Sequence, residues 1–336
     1  MAKRIGQFTL HFENRPSIKS FASITGKKEK EGPLGKYFDK AFDDNYFGET
    51  TWEKAESYLQ TETVKMALKK AGIEATEVNY IFAGDLLNQC ISSTFGLRSL
   101  GIPFLGQYGA CSTMAQTLIM ASIMVESKIA KNCIAVTSSH FCSAERQYRL
   151  PLEYGGQRPQ SAQWTTTGSG AMVVSLDMNK TYVEHATVGK MVDLGSKDIA
   201  NMGAAMAPAA CETLSNFFND TKTIPDDYDL VLTGDLGVVG GDLLKKLLKK
   251  EGFVFGENYN DCGLMIYNKE KQDVHSGGSG CGCSGSVLCS IILSRMQNNE
   301  LNNILFVATG ALMSPTSSQQ GETIPAIAHL VHLKNR

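Results

Sequence analysis

Two stretches of the chain are apolar on nearly every side, and each is accompanied by short strand-like runs. Residues 113–129 and 286–296 carry apolar side chains at most helical positions, which is typical of a helix buried all round. The apolar runs 133–137 and 304–308 follow them and indicate buried strands. Together they predict an α/β fold in layers, with helices between sheets and further helices outside.

The remaining pattern is more varied. Residues 7–12 alternate like a strand, 52–71 have helical spacing and end at a glycine, and 78–83 form another strand-like run. Residues 15–50 are rich in Gly, Lys, Asp and Phe and indicate a long irregular arm. The polar and aromatic region 141–167 is long for a connection, so we interpret it as a cap over a functional site.

The two halves of the chain resemble each other. Cys111 and Gly282 each lie in a run of small residues that opens an apolar stretch, and a strand-like run follows both at similar spacing. This repeat predicts two similar halves, residues 1–178 and 179–336, with a pocket at the pseudo-twofold interface between them.

Composition excludes several classes of protein. The 336 residues are 43% hydrophobic and 20% charged, and the net charge of -2 offers no broad basic field for nucleic acid. The start has no apolar signal region, and no apolar run is long enough for a transmembrane helix. Nine cysteines without a C-x-x-C pair favour reduced thiols over a disulfide framework.

Two residues of the first half could carry chemistry. Cys111 precedes a predicted buried helix, whose free N–H groups and dipole would stabilise a thiolate or a bound carboxylate. It could equally be a small buried residue that permits a tight turn. His140 ends a strand-like run, where α/β folds face a ligand crevice. It could serve Cys111 as a base, hold a carboxylate when charged, or be a hydrogen-bonded structural histidine.

Charged side chains supply further candidates. Asp85 and Asp235 end equivalent strand-like runs and could bind Ca²⁺, accept from a ligand N–H or stabilise a turn; a structural role is favoured for Asp235. Arginines and tyrosines crowd the region 141–167, where they could bind a carboxylate and a flat ring or form a solvated loop: Arg146, Arg149, Arg158, Tyr148 and Tyr154.

The glycine-rich run 280–285 does not predict a cofactor or metal site. It matches G-x-G-x-x-G, but no acidic residue is clearly placed for a dinucleotide ribose. Its C-x-C pair with Cys262 lacks the second pair that a zinc site needs. We therefore expect a tight turn into the buried helix, with N–H groups around Gly282 facing the pocket.

The combination resembles the thiolase-like fold, a layered αβαβα sandwich of two similar halves with buried central helices. In thiolases and ketoacyl synthases the counterpart of Cys111 is the acylated nucleophile, and its acid/base partners come largely from the second half. Here Asp235 lies near the strand end where ketoacyl synthases carry a histidine. The resemblance therefore implies a site that binds but condenses acyl groups poorly.

A closer resemblance, to the stage V sporulation protein AD family of spore-forming bacteria, covers most of the chain. It rests on ordered strings at 31–35, 83–89, 109–113, 138–140, 144–147, 153–157, 206–210 and 308–312. It implies a non-catalytic protein that binds dipicolinic acid (pyridine-2,6-dicarboxylate), alone or as its Ca²⁺ chelate. The expected ligand-binding residues are Asp85, Cys111, His140, Arg146 and Gly282.

The same resemblance implies partners and a location. Family members belong to a multi-subunit assembly at the inner spore membrane that moves dipicolinate in sporulation and germination. We expect a forespore or spore protein held peripherally at that membrane by partner subunits, and a homodimer by analogy with thiolases. Two alternatives stay open: an acyl-transferring condensing enzyme that uses Cys111, and a scaffold with a vestigial pocket.

Overall fold

The computed structural model describes residues 2–148 and 158–336. The strands of its first part are β1 (Lys3–Ile5), β2 (Thr9–His11), β3 (Ser17–Thr25), β4 (Lys40–Ala41), β5 (Tyr80–Gly84), β6 (Phe104–Gly106), β7 (Asn132–Ser139), β8 (Trp164–Thr165) and β9 (Gly168–Ser175). Those of the second part are β10 (Thr181–Thr187), β11 (Leu230–Thr233), β12 (Tyr259–Asp261), β13 (Gly278–Ser279), β14 (Asn303–Ala311) and β15 (Ala326–Asn335).

The helices alternate with these strands. They are α1 (Lys27–Lys30), α2 (Trp52–Ala71), α3 (Ile91–Leu97), α4 (Thr113–Glu126), α5 (Phe141–Tyr148), α6 (Met202–Thr221), α7 (Gly237–Lys250), α8 (Cys262–Met265), α9 (Cys281–Val287), α10 (Leu293–Gln297) and α11 (Pro315–Gln319). A π-helical turn over Leu288–Ile292 joins α9 to α10.

The main sheet is built from two mirrored sets of strands. One set runs in the order β6-β5-β7-β9-β3 and the other in the order β12-β11-β14-β15-β10, and β3 meets β10 at the centre. In each set the first three strands are parallel and the fourth is antiparallel. This symmetry confirms the α/β fold with two similar halves. The expected boundary at residue 178 lies between β9 and β10, and the division into domains stays a prediction.

Alternate residues of each strand face different helix layers. In β7, Cys133 and Ala135 join the core around α4 and α9, whereas Ile134 and Val136 pack with α2. On the other side of the molecule α6 packs on β14 and β15. The helices α4 and α9 to α10 therefore lie at the centre of an αβαβα sandwich, as the apolar pattern predicts.

The sequence prediction of 15–50 as an irregular arm was wrong in its first part. Ser17–Thr25 forms β3, which is buried along almost its whole length and occupies the centre of the sheet. A strand buried on both faces has no polar–apolar alternation to reveal it, and Lys19 further disguises the pattern. The helix expected over 52–71 is confirmed, with Thr51 capping its start and Gly72 in the left-handed conformation at its end.

The region expected to form a cap is described only in part. Residues 141–148 are helical, and the polar segment resumes at Arg158; Arg149 and Tyr154 lie outside the described residues. Within the two described ranges, no helix combines the length and the apolar character that crossing a membrane would require.

Candidate functional site

A narrow cavity lies between the two halves beside Cys111. The centres of water-sized molecules can occupy about 40 Å³ of it. Its walls are mainly apolar with a few polar groups, the usual character of a ligand pocket. The lining residues are Leu86, Tyr108, Ala110, Cys111, Ala144, Glu145, Tyr148, Thr165, Met202, Ser279, Ala311 and Met313.

Backbone packing between the halves fixes the position of Cys111. Ala110 has φ 49° in the turn that precedes α4. Gly310 of β14 packs directly on this turn, because a Cβ there would lie 2.2 Å from the Gly109 carbonyl oxygen. The second half therefore holds the cysteine of the first half in place, and only glycine permits so close an approach.

The thiol faces a hydroxyl and a buried carboxyl. Its Sγ lies 3.7 Å from Ser279 Oγ, and that hydroxyl donates to Asp235 Oδ2 at 2.9 Å. Asp235 also accepts from Gly280 N at 3.0 Å and from Thr309 Oγ1 at 2.7 Å. Pairing of β8 with β13 sets Thr165 beside Ser279 on the cavity wall. All these partners of the carboxyl come from the second half.

These surroundings keep Cys111 protonated. Burial, followed by the neighbouring charge of Asp235, raises the pKa of the thiol well above its ordinary value. The expectation that the start of α4 would stabilise a thiolate was therefore wrong, because loss of hydration and the acidic neighbour act against it. These surroundings favour the neutral thiol over the thiolate.

Asp85 and Asp235, which follow equivalent strands, have surroundings in the structure that are the reverse of those that the sequence favoured. Asp85 accepts from Leu87 N at 2.9 Å and from Ser93 N and Oγ at 2.8 and 2.6 Å, so it ties the end of β5 to the start of α3. It does not line the cavity, although Leu86 does. Asp235, for which a structural role was favoured, is the carboxyl linked to Cys111 through Ser279.

The structure gives His140 a neutral, fully bonded ring away from the cavity lining. Cys142 N donates to its Nδ1 at 3.2 Å, so Nε2 carries the proton and donates to the Asn45 carbonyl oxygen at 2.7 Å. Burial lowers its pKa to about 4. Neither nitrogen is left to act as a base toward Cys111.

Arg146 and Gly282 also lie outside the cavity lining. Arg146 forms an ion pair with Glu53 and stacks on Trp52, 5.1 Å from the ring centre. Gly282 is buried in α9, where a Cβ would lie 2.3 Å from the Gly168 carbonyl oxygen. Of the five expected ligand-binding residues the cavity brings in Cys111 alone, and ligand contact by any of them stays a prediction.

Sequence reasoning named Tyr148 as a candidate for binding a flat ring but passed over Tyr108 and much of the remaining cavity wall. Tyr108 and Tyr148 lie on it with their hydroxyl oxygens 3.2 Å apart, and the Tyr148 hydroxyl also donates to the Leu86 carbonyl oxygen. Tyr108 could have been found from its place directly before the small-residue run that contains Cys111. Met202 and Met313 carry no comparable signal, because only the tertiary fold brings them to the site.

Comparison with known families decides the affiliation of the chain. The family model described as Stage V sporulation protein AD (SpoVAD) matches residues 6–334. The chain belongs to this family. It is 46% identical over 327 residues to the Stage V sporulation protein AD of Bacillus subtilis (strain 168), covering 97% of this chain and 96% of that protein. It is thus a member of a sporulation protein family.

Solved structures of condensing enzymes share the fold. The 3-oxoacyl-[acyl-carrier-protein] synthase III of Aquifex aeolicus VF5 superimposes with a TM-score of 0.59 at 15% identity, over 95% of this chain and 99% of that one. The tetronic acid condensing enzyme AbyA1 gives 0.61 at 17% identity, over 95% and 100%. The SpoVAD-family chain therefore has the thiolase-like fold that its sequence resembles.

A buried pair of carboxyl groups lies beneath the turn that Asp85 organises. Glu56 accepts from Ser138 Oγ at 3.0 Å and from Ser143 Oγ at 2.8 Å. Burial, together with the charge of Asp85, raises the pKa of Glu56 to about 8. Asp85 accepts more hydrogen bonds, including backbone N–H groups, so it is the better stabilised anion and Glu56 holds the proton at neutral pH.

This proton makes the stability of the fold depend on pH. A raised carboxyl pKa contributes stability that is complete below the unfolded value of about 4.5 and is lost as the pH rises through about 8. We expect the unfolding free energy to fall by a few kcal/mol from about pH 5 to pH 8, and Glu56→Gln to flatten that decline. Denaturant unfolding across this range tests it, with the partly exposed Glu62→Gln on the same helix as control; an equally steep decline in both variants would contradict it.

Proposed function

We propose that this SpoVAD-family chain is a non-catalytic subunit that binds dipicolinate in the cavity beside Cys111. The observation that carries the proposal is the set of partners around the thiol. The thiol faces the Ser279 hydroxyl and, behind it, the buried carboxyl of Asp235, and the described lining contains no histidine; burial and the Asp235 charge favour the neutral thiol. A cavity of this kind can enclose a ligand without attacking it.

The charge of the cavity favours the calcium chelate over the free dianion. Among the described lining residues none is cationic, Glu145 contributes a carboxyl group, and Asp235 lies behind Ser279. A bare dianion would lose its hydration there without a compensating charge. The chelate of Ca²⁺ with dipicolinate has no net charge, and carboxylate oxygens are ligands that Ca²⁺ accepts.

Shape supports a flat aromatic ligand that enters past the two tyrosines. The hydroxyl oxygens of Tyr108 and Tyr148 lie 3.2 Å apart on the cavity wall, so a ligand that enters between them would separate the two rings. Tyr108 is 43% exposed, so its ring is free to rotate toward solvent. Aromatic rings on either side of the entrance can then stack on the pyridine ring.

Membership of a sporulation protein family supports the proposed setting. We place the chain in the forespore or spore, held at the inner membrane by other subunits of the stage V assembly that moves dipicolinate in sporulation and germination. A homodimer is part of the same proposal, by analogy with other proteins of this fold. Co-purification with the remaining stage V subunits, lost when those subunits are absent, tests the setting separately from ligand binding.

Replacing Cys111 tests the position of the ligand. Calorimetric titration with dipicolinate, with and without Ca²⁺, should show saturable binding that Cys111→Ala weakens about 3- to 10-fold, because one contact is lost while backbone donors remain. Cys142→Ala is the matched control, since Cys142 lies on α5 and does not line the cavity. Unchanged affinity in Cys111→Ala would place the ligand elsewhere.

The shared fold of condensing enzymes keeps acyl transfer as the competing function. Incubation with acyl-CoA followed by intact-mass measurement should leave the wild-type chain unmodified, because burial and the Asp235 charge disfavour the thiolate and the described cavity lining contains no histidine. An acyl group on Cys111 that turns over on addition of a second substrate would establish the enzyme instead.

A further inference from the structure

Three histidines lie side by side on neighbouring strands, away from the Cys111 cavity. His11 of β2 is paired in register with His185 of β10, and His185 is paired with His332 of β15. Directly opposed residues share a face of the sheet and have adjacent side chains. The three come from distant parts of the chain, so sequence spacing gave no sign of the cluster.

A β-bulge adds a carboxylate to this row. Val183 pairs with Leu333 and His185 with His332, so Glu184 is an extra residue in β10. Such a bulge re-aims a side chain that regular pleating would send to the opposite face. One nitrogen each of His11 and His185 and one oxygen of Glu184 consequently lie within 4.8 Å of one another.

Two side-chain atoms of this cluster are buried without a hydrogen-bond partner. They are Nδ1 of His11 and Oε2 of Glu184. The other oxygen of Glu184 lies 4.0 Å from His11 Nδ1, too far for a hydrogen bond. Tyr182 also hydrogen-bonds the Glu184 carboxylate, which leaves one of its oxygens unpartnered. Buried polar atoms are normally satisfied, so an unpartnered imidazole nitrogen and an unpartnered carboxylate oxygen in one cluster indicate a ligand that both could bind.

Hydrogen bonds determine which ring nitrogen carries the proton in His185 and in His332. Asn303 Nδ2 donates to the Asp227 carbonyl oxygen at 2.8 Å, so its Oδ1 faces His332 and must accept from Nε2–H. His332 Nδ1 therefore has a lone pair and accepts from His185 Nδ1 at 2.9 Å. His185 is left with an unprotonated Nε2, the state that a metal ion requires.

We propose that His11, Glu184 and His185 form a binding site for a divalent transition-metal ion of the zinc class. Two imidazoles and one carboxylate are a common set of protein ligands for Zn²⁺, with a further position left for water or a ligand. His332 and Asn303 orient His185 as second-layer partners. Modest side-chain rotation brings ligand atoms within 4.8 Å to the closer spacing of a bound ion.

A cavity that opens to solvent adjoins this proposed metal site. Glu184, His185 and His332 line a cavity that also includes Thr221, Thr223 and Lys334, and no residue of its lining is shared with the Cys111 cavity. His11 is not part of this lining, so an ion would enter past Glu184 and His185, with Lys334 as the one described cationic residue on the route. The site ties the N-terminal hairpin of β1 and β2 to the central strand β10, so occupancy should stabilise that attachment.

Zinc titration of the chelator-treated, full-length chain tests the site. We expect one tightly bound Zn²⁺ per chain and a higher melting temperature with zinc. His11→Gln and Glu184→Gln should each weaken binding about 100-fold or more, and His332→Gln about 10- to 100-fold. His11→Gln is the mildest change because 29% of the side chain is exposed, and an unchanged melting temperature without zinc will show that it folds.

Controls separate this site from the thiols. His275→Gln and Cys111→Ala, which leave the cluster intact, should bind zinc like the wild type. Co²⁺ in place of zinc should give a spectrum without thiolate-to-metal charge transfer. Absence of zinc binding in the wild type, unchanged binding in both His11→Gln and Glu184→Gln, or loss of binding in Cys111→Ala would overturn the proposal.

Discussion

Asp235→Ala should lower the free energy of unfolding by about 3–5 kcal/mol, the largest effect on stability that we expect from the site residues. The carboxyl accepts from Ser279 Oγ, Gly280 N and Thr309 Oγ1. Its removal leaves these donors buried without a partner, and each such donor costs about 1–3 kcal/mol unless water from the adjacent cavity reaches it. Denaturant unfolding at neutral pH measures the difference.

Asp229→Ala provides the comparison. Asp229 accepts from Asn302 N at 2.6 Å and Asn303 N at 3.0 Å, but at an exposed position where water can replace it. We expect this change to cost about 1 kcal/mol or less. Equal losses of unfolding free energy in Asp235→Ala and Asp229→Ala would show that the buried hydrogen bonds of Asp235 stabilise the fold no more than the exposed ones of Asp229.

Met202→Trp should abolish dipicolinate binding while leaving the chain folded. Met202 lines the cavity at the first turn of α6 and is only partly buried, so a larger ring there can fill the cavity without displacing the core. Overpacking of about 3 kcal/mol against a bound ligand corresponds to about 100-fold weaker binding. Titration calorimetry measures the loss, and circular dichroism checks the fold.

Met178→Trp is the matched control. Its side chain is 84% exposed and lies outside the cavity lining, so the same substitution there should leave dipicolinate binding unchanged. Wild-type affinity in Met202→Trp would mean that the ligand does not occupy this cavity. Loss of binding in both variants would point instead to a general effect of the added tryptophan.

The layers of the fold could be read from the sequence, because the central helices are apolar on every side and α2 has its cap and stop signals in place. The central strand β3 could not, since it is buried on both faces and shows no alternation. The start of α9 was also missed, because Cys281–Val287 is rich in glycine and serine, which are poor helix formers.

The candidate site was predictable only where its residues follow a local signal. Cys111 stands in a run of small residues before a buried helix, and that run revealed it. Asp85 and Asp235 follow equivalent strands, and nothing in their local sequences tells which of them is linked to Cys111 at the cavity. The difference comes from their hydrogen-bond partners: Ser93 Oγ donates to Asp85, whereas Ser279 Oγ donates to Asp235 and lies beside the thiol.

Local sequence signals were equally insufficient to tell which histidines belong to a site. His140 stands at a strand end, which is typical of a site residue. Both of its ring nitrogens are nevertheless hydrogen-bonded, one to the Asn45 carbonyl oxygen and the other to the Cys142 amide. His11 and His185 stand on unremarkable strands, but sheet register and a one-residue bulge bring them together with Glu184. Register between distant strands depends on the whole fold, so a local pattern cannot supply it.

A crystal structure of the chain with calcium dipicolinate tests the central claim most directly. We predict density for the pyridine ring in the cavity beside Cys111 and Ser279, with Tyr108 and Tyr148 moved apart and no covalent bond to the thiol. A ligand bound elsewhere on the chain while this cavity stays closed would contradict the proposed function.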